Sequence, residues 1–323
     1  MCEIMINRKV LVTATNYSLY CAEAKKLLEE NGVDVIENNK DRPMTREELL
    51  AVVGDIDGVV VGVDTWNMEI FKKASRLKAL ARFGVGVDNI DLEDAKSRGI
   101  VVSNAKGMNS NSVAELTIAH IFSCLRRTPN FNTSIRQGKW DRFMGRDLSH
   151  MTVGLMGFGD IAQKVAKKLS GFDVVIKACD PYPNIEKAGE LCVEIVSMEE
   201  ILAASDVISM HMPSLSETYH IMRDKTFARM KDGACFVNTS RGALVDEAAL
   251  YRALKSGKLA AAASDVFESE PAGSLNPLFE LENFFATPHT AAETYTTYRN
   301  VGLKTAQALL DVFDGREPQN RLI

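Results

Sequence analysis

Residues 152–162, Thr-Val-Gly-Leu-Met-Gly-Phe-Gly-Asp-Ile-Ala, constrain this chain more than any other stretch. The apolar run Val153–Met156 predicts a buried strand. It leads directly into Gly157-Phe158-Gly159-Asp160-Ile161. Ala162, Val165, Ala166 and Leu169 then follow at helical spacing. Strand, glycine turn and helix in that order suit a pyrophosphate. Gly157 permits the tight turn, Gly159 exposes bare backbone to phosphate oxygens, and the small Ala162 lets helix and strand pack closely. The helix N-terminus adds unpaired N–H groups and a partial positive charge.

The next strand, predicted over Val174–Cys179, ends at Asp180, about 20 residues beyond the turn, the offset of a ribose-binding acid. A carboxylate there accepts from both ribose hydroxyls of an adenosine and repels a 2′-phosphate. Pro181-Tyr182-Pro183 supply no arginine to hold such a phosphate. The expected ligand is therefore a dinucleotide, with NAD preferred over NADP.

Two domains of ordinary size fit in 323 residues. The formal charge of −5 and the absence of a basic stripe argue against a nucleic-acid partner or a membrane surface. Six scattered cysteines without metal-type spacing predict buried, reduced thiols and no metal. No apolar run approaches a membrane span and no signal peptide is evident, so a cytoplasmic location is expected.

Short strands are predicted at Val10–Thr13, Val33–Ile36, Gly58–Val63, Leu80–Phe83 and Ile100–Ser103. Between them fall helices over Tyr20–Glu30, from Thr45 (opening on the capping box Thr45-Arg46-Glu47-Glu48), over Met68–Ala74 and over Asp91–Arg98. Helices over Ser110–Leu125 and Asn130–Gln137 precede the glycine turn. Further strands follow at Val174–Cys179, Cys192–Ile195, Val207–Ser209, Ala234–Asn238 and Ala260–Ser264. A last helix covers Tyr295–Asp314. The expected fold class is α/β, with two Rossmann-like, doubly wound parallel-sheet domains and a cleft between them.

Three segments after the glycine turn each follow a strand, and strand C-termini face the ligand in such sheets. Asn238-Thr239-Ser240-Arg241-Gly242 offers a guanidinium for two-pronged binding of a carboxylate or carbonyl; in isolation, Arg241 also reads as a partner for Asp246 or Glu247. Ser264–Pro271 contains Asp265, placed to accept from a carboxamide, and Glu270. Thr287-Pro288-His289-Thr290 presents a histidine, the side chain best matched to moving a proton near neutrality. Of the other histidines, His120 reads as a packing residue, His150 and His220 as surface residues (His220 opening a helix), and His211 as a cofactor neighbour. An arginine to bind a carboxylate, a histidine to shuttle a proton and a glutamate to orient it meet the needs of hydride transfer with a 2-hydroxy acid.

The chain resembles the D-isomer-specific 2-hydroxyacid dehydrogenases over nearly its whole length. The matching stretches are residues 79–91, 110–116, 152–162, 238–250, 265–271 and 287–291. The resemblance implies Arg241, Glu270 and His289 as catalytic residues. It implies a discontinuous substrate domain (1–105 and 292–323) around an NAD-binding domain (106–291), and a homodimer. The expected cofactor-binding set is Gly157, Phe158, Gly159, Asp160, Ile161, Asp180, Met212, Thr239, Ser240 and Asp265. Val85 and Gly86 resemble the loop whose amides hold the substrate carboxylate. Residues 138–148 look like phosphoglycerate dehydrogenases, where arginines matching Arg82 and Arg142 lie near a phosphate. Asp160 stands where an arginine is common, and Gly62-Val63-Asp64 where some phosphoglycerate dehydrogenases carry one. The expected function is NAD-dependent interconversion of a D-2-hydroxy acid and its 2-keto acid, with phosphoglycerate as the leading substrate and glyoxylate or hydroxypyruvate as the alternative. A different class, an NAD(H)-sensing corepressor-like protein, shares the same residues.

Overall fold

The computed structural model describes residues 8–323. The chain divides into two compact units. One comprises the residues up to Asn109 together with Glu293–Ile323; the other is Ser110–Ala292.

In the first unit the strands are β1 (Arg8–Val12), β2 (Val33–Glu37), β3 (Gly58–Val61), β4 (Ala79–Arg82) and β5 (Val101–Ser103). They form a wholly parallel sheet in the order β2-β1-β3-β4-β5. Alternation along β1 explains its two apolar faces. Val10 and Val12 pack with Leu28, Leu309 and Phe313, while Leu11 joins Ile70, Phe71 and Leu80 on the opposite side. Sheets buried on both faces need near-continuous apolar strands, which is how β3 reads.

The helices follow their caps. Thr45 accepts from the Glu48 N–H while the Glu48 carboxylate accepts from the Thr45 N–H, and the helix runs over Arg46–Val52. The helix expected over Tyr20–Glu30 is instead two, Tyr17–Tyr20 and Ala22–Glu30. Between them Cys21 leaves helical geometry (φ −124°), and its thiol donates to the Tyr298 carbonyl at 3.2 Å.

The second unit opens with α-helices over Ser110–Arg126 and Thr128–Arg136. Its strands are β6 (Thr152–Met156), β7 (Val175–Cys179), β8 (Val193–Ile195), β9 (Val207–Met210), β10 (Ala234–Asn238), β11 (Leu259–Ser264) and β12 (Phe284–Ala286). All are parallel, in the order β12-β11-β10-β9-β6-β7-β8. Counted from the first strand of the unit this is 3-2-1-4-5-6 with one strand added, the dinucleotide-binding order, and the chain reverses direction across the sheet between β6 and β9. That switch point is where such sheets bind ligands. Two apolar layers cover the sheet, one around Leu155, Val165, Ile176 and Val237, the other around Met156, Ile201, Phe236 and Leu250. The two units are therefore both α/β with parallel sheets. Among the described residues, no helix is long and apolar enough to cross a membrane.

Candidate active site

The glycine turn leaves β6 at the switch point. Gly157 adopts φ +96°, and a Cβ there would lie 2.7 Å from the His211 carbonyl oxygen at the end of β9. No side chain fits between those backbones, so Gly157 sets how closely β6 and β9 approach. Gly159 N-caps the helix Asp160–Leu169 with no side chain capping it, and a Cβ at Gly159 would point into open space. First-turn N–H groups that no side chain satisfies, beside bare backbone, suit a phosphate. Asp160 places its carboxylate at this end, paired with Lys164 at 3.4 Å. That pairing offsets the repulsion its charge would exert on an anion.

Asp180 follows β7 and reaches back to the turn. Its Oδ2 accepts from the Phe158 N–H at 2.8 Å, and its Oδ1 from the Tyr182 N–H at 2.8 Å. Each carboxylate oxygen keeps a second lone pair for a ribose hydroxyl. Phe158 is itself buried, and Ile161 half-buried, beneath this surface. The residues present fit a dinucleotide. Replacing Asp180 by alanine should raise the ratio of kcat/KM with NADPH to that with NADH; an unchanged ratio places ribose reading elsewhere.

Arg241, Glu270 and His289 follow β10, β11 and β12, three adjacent strands, and the structure brings them together. His289 Nδ1 lies 2.6 Å from Glu270 Oε2. Glu270 Oε1 accepts from the Phe267 N–H at 3.0 Å, so both carboxylate oxygens are oriented. Burial pushes the Glu270 carboxyl up, but the His289 bond, the Phe267 N–H and the Arg241 charge outweigh it and hold it below the usual carboxylate range. The Glu270 bond raises the His289 imidazole above its ordinary value, against burial and the Arg241 charge. The pair therefore contributes stability between these two titrations. That contribution is lost as pH rises through the folded His289 pKa or falls through that of Glu270. Arg241 caps the turn Gly242–Leu244, donating through Nη1 to the Ser240 carbonyl at 2.8 Å, and its own carbonyl accepts from Asn238 at 2.9 Å.

His289 has φ +52°. Its N–H donates to the Asp265 carbonyl at 2.7 Å. The Asp265 side chain is fully buried and holds the same loop. It accepts from the Thr287 hydroxyl (2.5 Å) and from the N–H groups of Thr290 and Ala291 (2.9 Å each). The sequence had Asp265 accepting from a carboxamide; its side-chain bonds in the structure run to the histidine loop. His120, read from sequence as packing, is buried but has a polar task as well: its Nε2 lies 3.1 Å from the Thr287 hydroxyl. Because that hydroxyl donates to a carboxylate, it must accept from His120, which sets the Nε2–H tautomer. No signal local to His120 could have shown this, since its partner is 167 positions away.

The remaining expected residues are placed as follows. Ser240 donates to the Met212 carbonyl at 2.5 Å, and the buried Thr239 hydroxyl meets that of Thr117 at 2.8 Å. These contacts tie the loops after β9 and β10 to the helix Ser110–Arg126. His211 adjoins Gly157, and burial pushes its imidazole down to about 3. His220 does not open a helix; it lies in a turn with φ +47°, and the helix begins at Asp224. Arg142 is exposed on the segment after the helix Thr128–Arg136, which the Asp141–Ser134 bond anchors at 2.9 Å. In the first unit, Arg82 Nε donates to the Gly86 carbonyl (2.9 Å) and Nη1 to that of Phe83 (2.5 Å). The carbonyl of Val85 accepts from Asn104 at 2.8 Å. The loop is thus folded around Arg82, with carbonyls turned toward protein donors.

Residues 118–291 match the family model for the D-isomer specific 2-hydroxyacid dehydrogenase NAD binding domain. The D-3-phosphoglycerate dehydrogenase of Archaeoglobus fulgidus is 41% identical over 301 residues, covering 92% of this chain and 56% of that protein. The chain thus spans little more than half the length of that relative. The hydroxypyruvate reductase of Thermotoga maritima is 37% identical over 292 residues, covering 87% of this chain and 94% of that protein. The crystal structure of the TT0316 protein from Thermus thermophilus superposes with a TM-score of 0.89 at 34% identity, covering 98% of this chain and all of that one. With a glycine turn at the switch point, an acid after the second strand and an Arg–Glu–His group at the ends of three adjacent strands, these likenesses lead to one assignment: the chain belongs to the D-isomer specific 2-hydroxyacid dehydrogenase family.

Proposed function

We propose that the protein is an NAD-dependent oxidoreductase that interconverts a D-2-hydroxy acid and its 2-keto acid. The observation carrying this reading is the 2.6 Å contact between His289 Nδ1 and Glu270 Oε2 within reach of the Arg241 charge. The turn at Gly157–Ile161 and Asp180 would hold NADH, which when bound would supply a hydride for the carbonyl carbon. Arg241 binds the substrate carboxylate through its planar donor fork and fixes which face of the carbonyl is presented. With Nδ1 engaged by Glu270, His289 has Nε2–H to give a proton to the carbonyl oxygen as charge develops there. In the reverse direction neutral Nε2 takes the hydroxyl proton. Glu270 favours the charged imidazole, and the two cations together stabilise the developing alkoxide. Asp265 holds the histidine loop in place.

The sign of the pH dependence follows from Glu270. Reduction needs protonated His289, so its rate falls as pH rises through a histidine pKa that Glu270 holds up. In Glu270→Gln the alkaline limb of kcat/KM for reduction should move to lower pH. A limb left in place removes Glu270 from this role.

For the substrate, phosphoglycerate or its keto form is the leading reading, on the likeness to phosphoglycerate dehydrogenases and the exposed Arg142. Hydroxypyruvate or glyoxylate is the second, favoured by the relative that this chain covers almost end to end. Arg142→Ala should raise KM for a phosphorylated 2-keto acid far more than for glyoxylate; equal effects favour the unphosphorylated substrates. A cytoplasmic homodimer is the assembly that fits this reading. NADH binding with no turnover of any 2-keto acid would instead make the protein a nucleotide sensor.

A further inference from the structure

A second imidazole–carboxylate pair bridges the two loops that carry Arg241 and Glu270. His220 Nε2 stands 2.6 Å from Glu268 Oε1, and that nitrogen is buried without an aligned hydrogen bond. The contact joins the His220 ring directly to the Glu268 carboxylate. The His220 backbone is tied to the turn after Arg241. Its N–H donates to the Ala243 carbonyl at 2.9 Å, and the Met222 N–H to that of Leu244 at 3.0 Å. The Tyr219 ring stacks on the imidazole with centroids 3.9 Å apart. On the other side, Glu268 lies two residues before Glu270 in a loop pressed against the same turn: a Cβ on Gly242 would fall 1.9 Å from the Phe267 carbonyl oxygen.

Glu268 also faces a like charge. Its N–H donates to Glu247 Oε1 at 2.8 Å, and the Glu247 N–H to Glu268 Oε1 at 3.4 Å. Asn276 caps Glu247 Oε2 at 2.7 Å but brings no charge. His220 Nε2 is in contact with Glu268 Oε1 and so fixes where that carboxylate sits beside Glu247. The neighbouring Phe267 N–H orients Glu270 Oε1, so a shift of this loop passes directly to Glu270.

We propose that His220 and Glu268 are positioning residues. Their contact clamps the Phe267–Glu270 loop against the Arg241 turn and holds Glu270 at His289 Nδ1. The inference rests on the proposed roles of Glu270 and His289.

The test follows the His289 imidazole titration by NMR in the cofactor-free full chain, with Arg241, Asp265 and Glu270 left intact around it. In His220→Ala the His289 midpoint should fall, because Glu270 is no longer held in place. Removing an imidazole that acted only through space would not lower the midpoint, so a fall marks lost positioning. Glu268→Gln removes a negative charge as well as the contact and should lower it on both accounts, and the double variant no further than Glu268→Gln alone. With glyoxylate and NADH, kcat should drop about 10-fold to 10²-fold, the cost of a small misplacement, with KM for NADH unchanged. Should His220→Ala fold poorly, His220→Gln decides the matter by the same titration. Glu270→Gln is the control. If it moves the His289 midpoint while the His220 variants do not, this inference alone falls. If Glu270→Gln leaves the midpoint in place, the reading of the site falls and this one with it.

Discussion

Replacing His289 by glutamine should lower kcat for 2-keto acid reduction by about 10²–10⁴-fold, the range that a positioned general acid contributes. Glutamine keeps a polar side chain of similar reach but cannot deliver a proton near neutrality. NADH affinity, measured by fluorescence titration, should stay near that of the parent, because the nucleotide turn at 157–161 and Asp180 lie at the ends of other strands. His289 occupies the left-handed region at φ +52°, where histidine and asparagine are better tolerated than most residues. His289→Asn should therefore reproduce the loss with less backbone strain. Agreement between the two variants separates lost chemistry from a distorted loop. A variant that loses NADH binding together with turnover would make His289 structural.

Replacing Arg241 by alanine should cost about as much, but in a different parameter. Two hydrogen bonds from a guanidinium to a carboxylate, at about 1.5–3 kcal/mol each, correspond to roughly 10²–10⁴ in kcat/KM. Much of this should appear as a raised KM for the 2-keto acid. Arg241→Lys should recover little, since an ammonium cannot reproduce the planar fork. The turn Gly242–Leu244 begins at this residue, so the melting temperature belongs beside the kinetics. A near-normal melting temperature with a raised KM assigns the loss to substrate binding. An unchanged KM for the 2-keto acid would remove Arg241 from that role.

Local patterns were legible where their physics is local. The capping box at Thr45 predicted its helix start, and the caps at Asp91 and Thr294 bound helices close to the expected ranges. The strand Ala234–Asn238 appears with the expected limits because the apolar run Ala234–Val237 lies between Asp232-Gly233 and the polar Asn238-Thr239-Ser240. The edge strand Phe284–Ala286 is expected ahead of Thr287 but without limits, since three residues are too few for a period to declare itself. His220 does not open a helix for a related reason: polar residues ahead of a helix resemble a helix start, but the His220 and Met222 N–H groups are held by the carbonyls of Ala243 and Leu244 instead.

What the amino-acid order alone determined is the alternation of strand and helix, the glycine turn with its acid, and which residue types stand at strand ends. These depend on neighbours within a few positions, where backbone sterics and apolar spacing act. Tertiary structure alone decided that Glu270 meets His289 through Nδ1, that His120 and Asp265 brace the histidine loop through Thr287, and that a second His–Glu pair joins the Arg241 turn to the Glu270 loop. Those contacts join residues 19 to 167 positions apart. The pairing of parallel strands, each separated from the next by a crossover, is what brings them within hydrogen-bond distance.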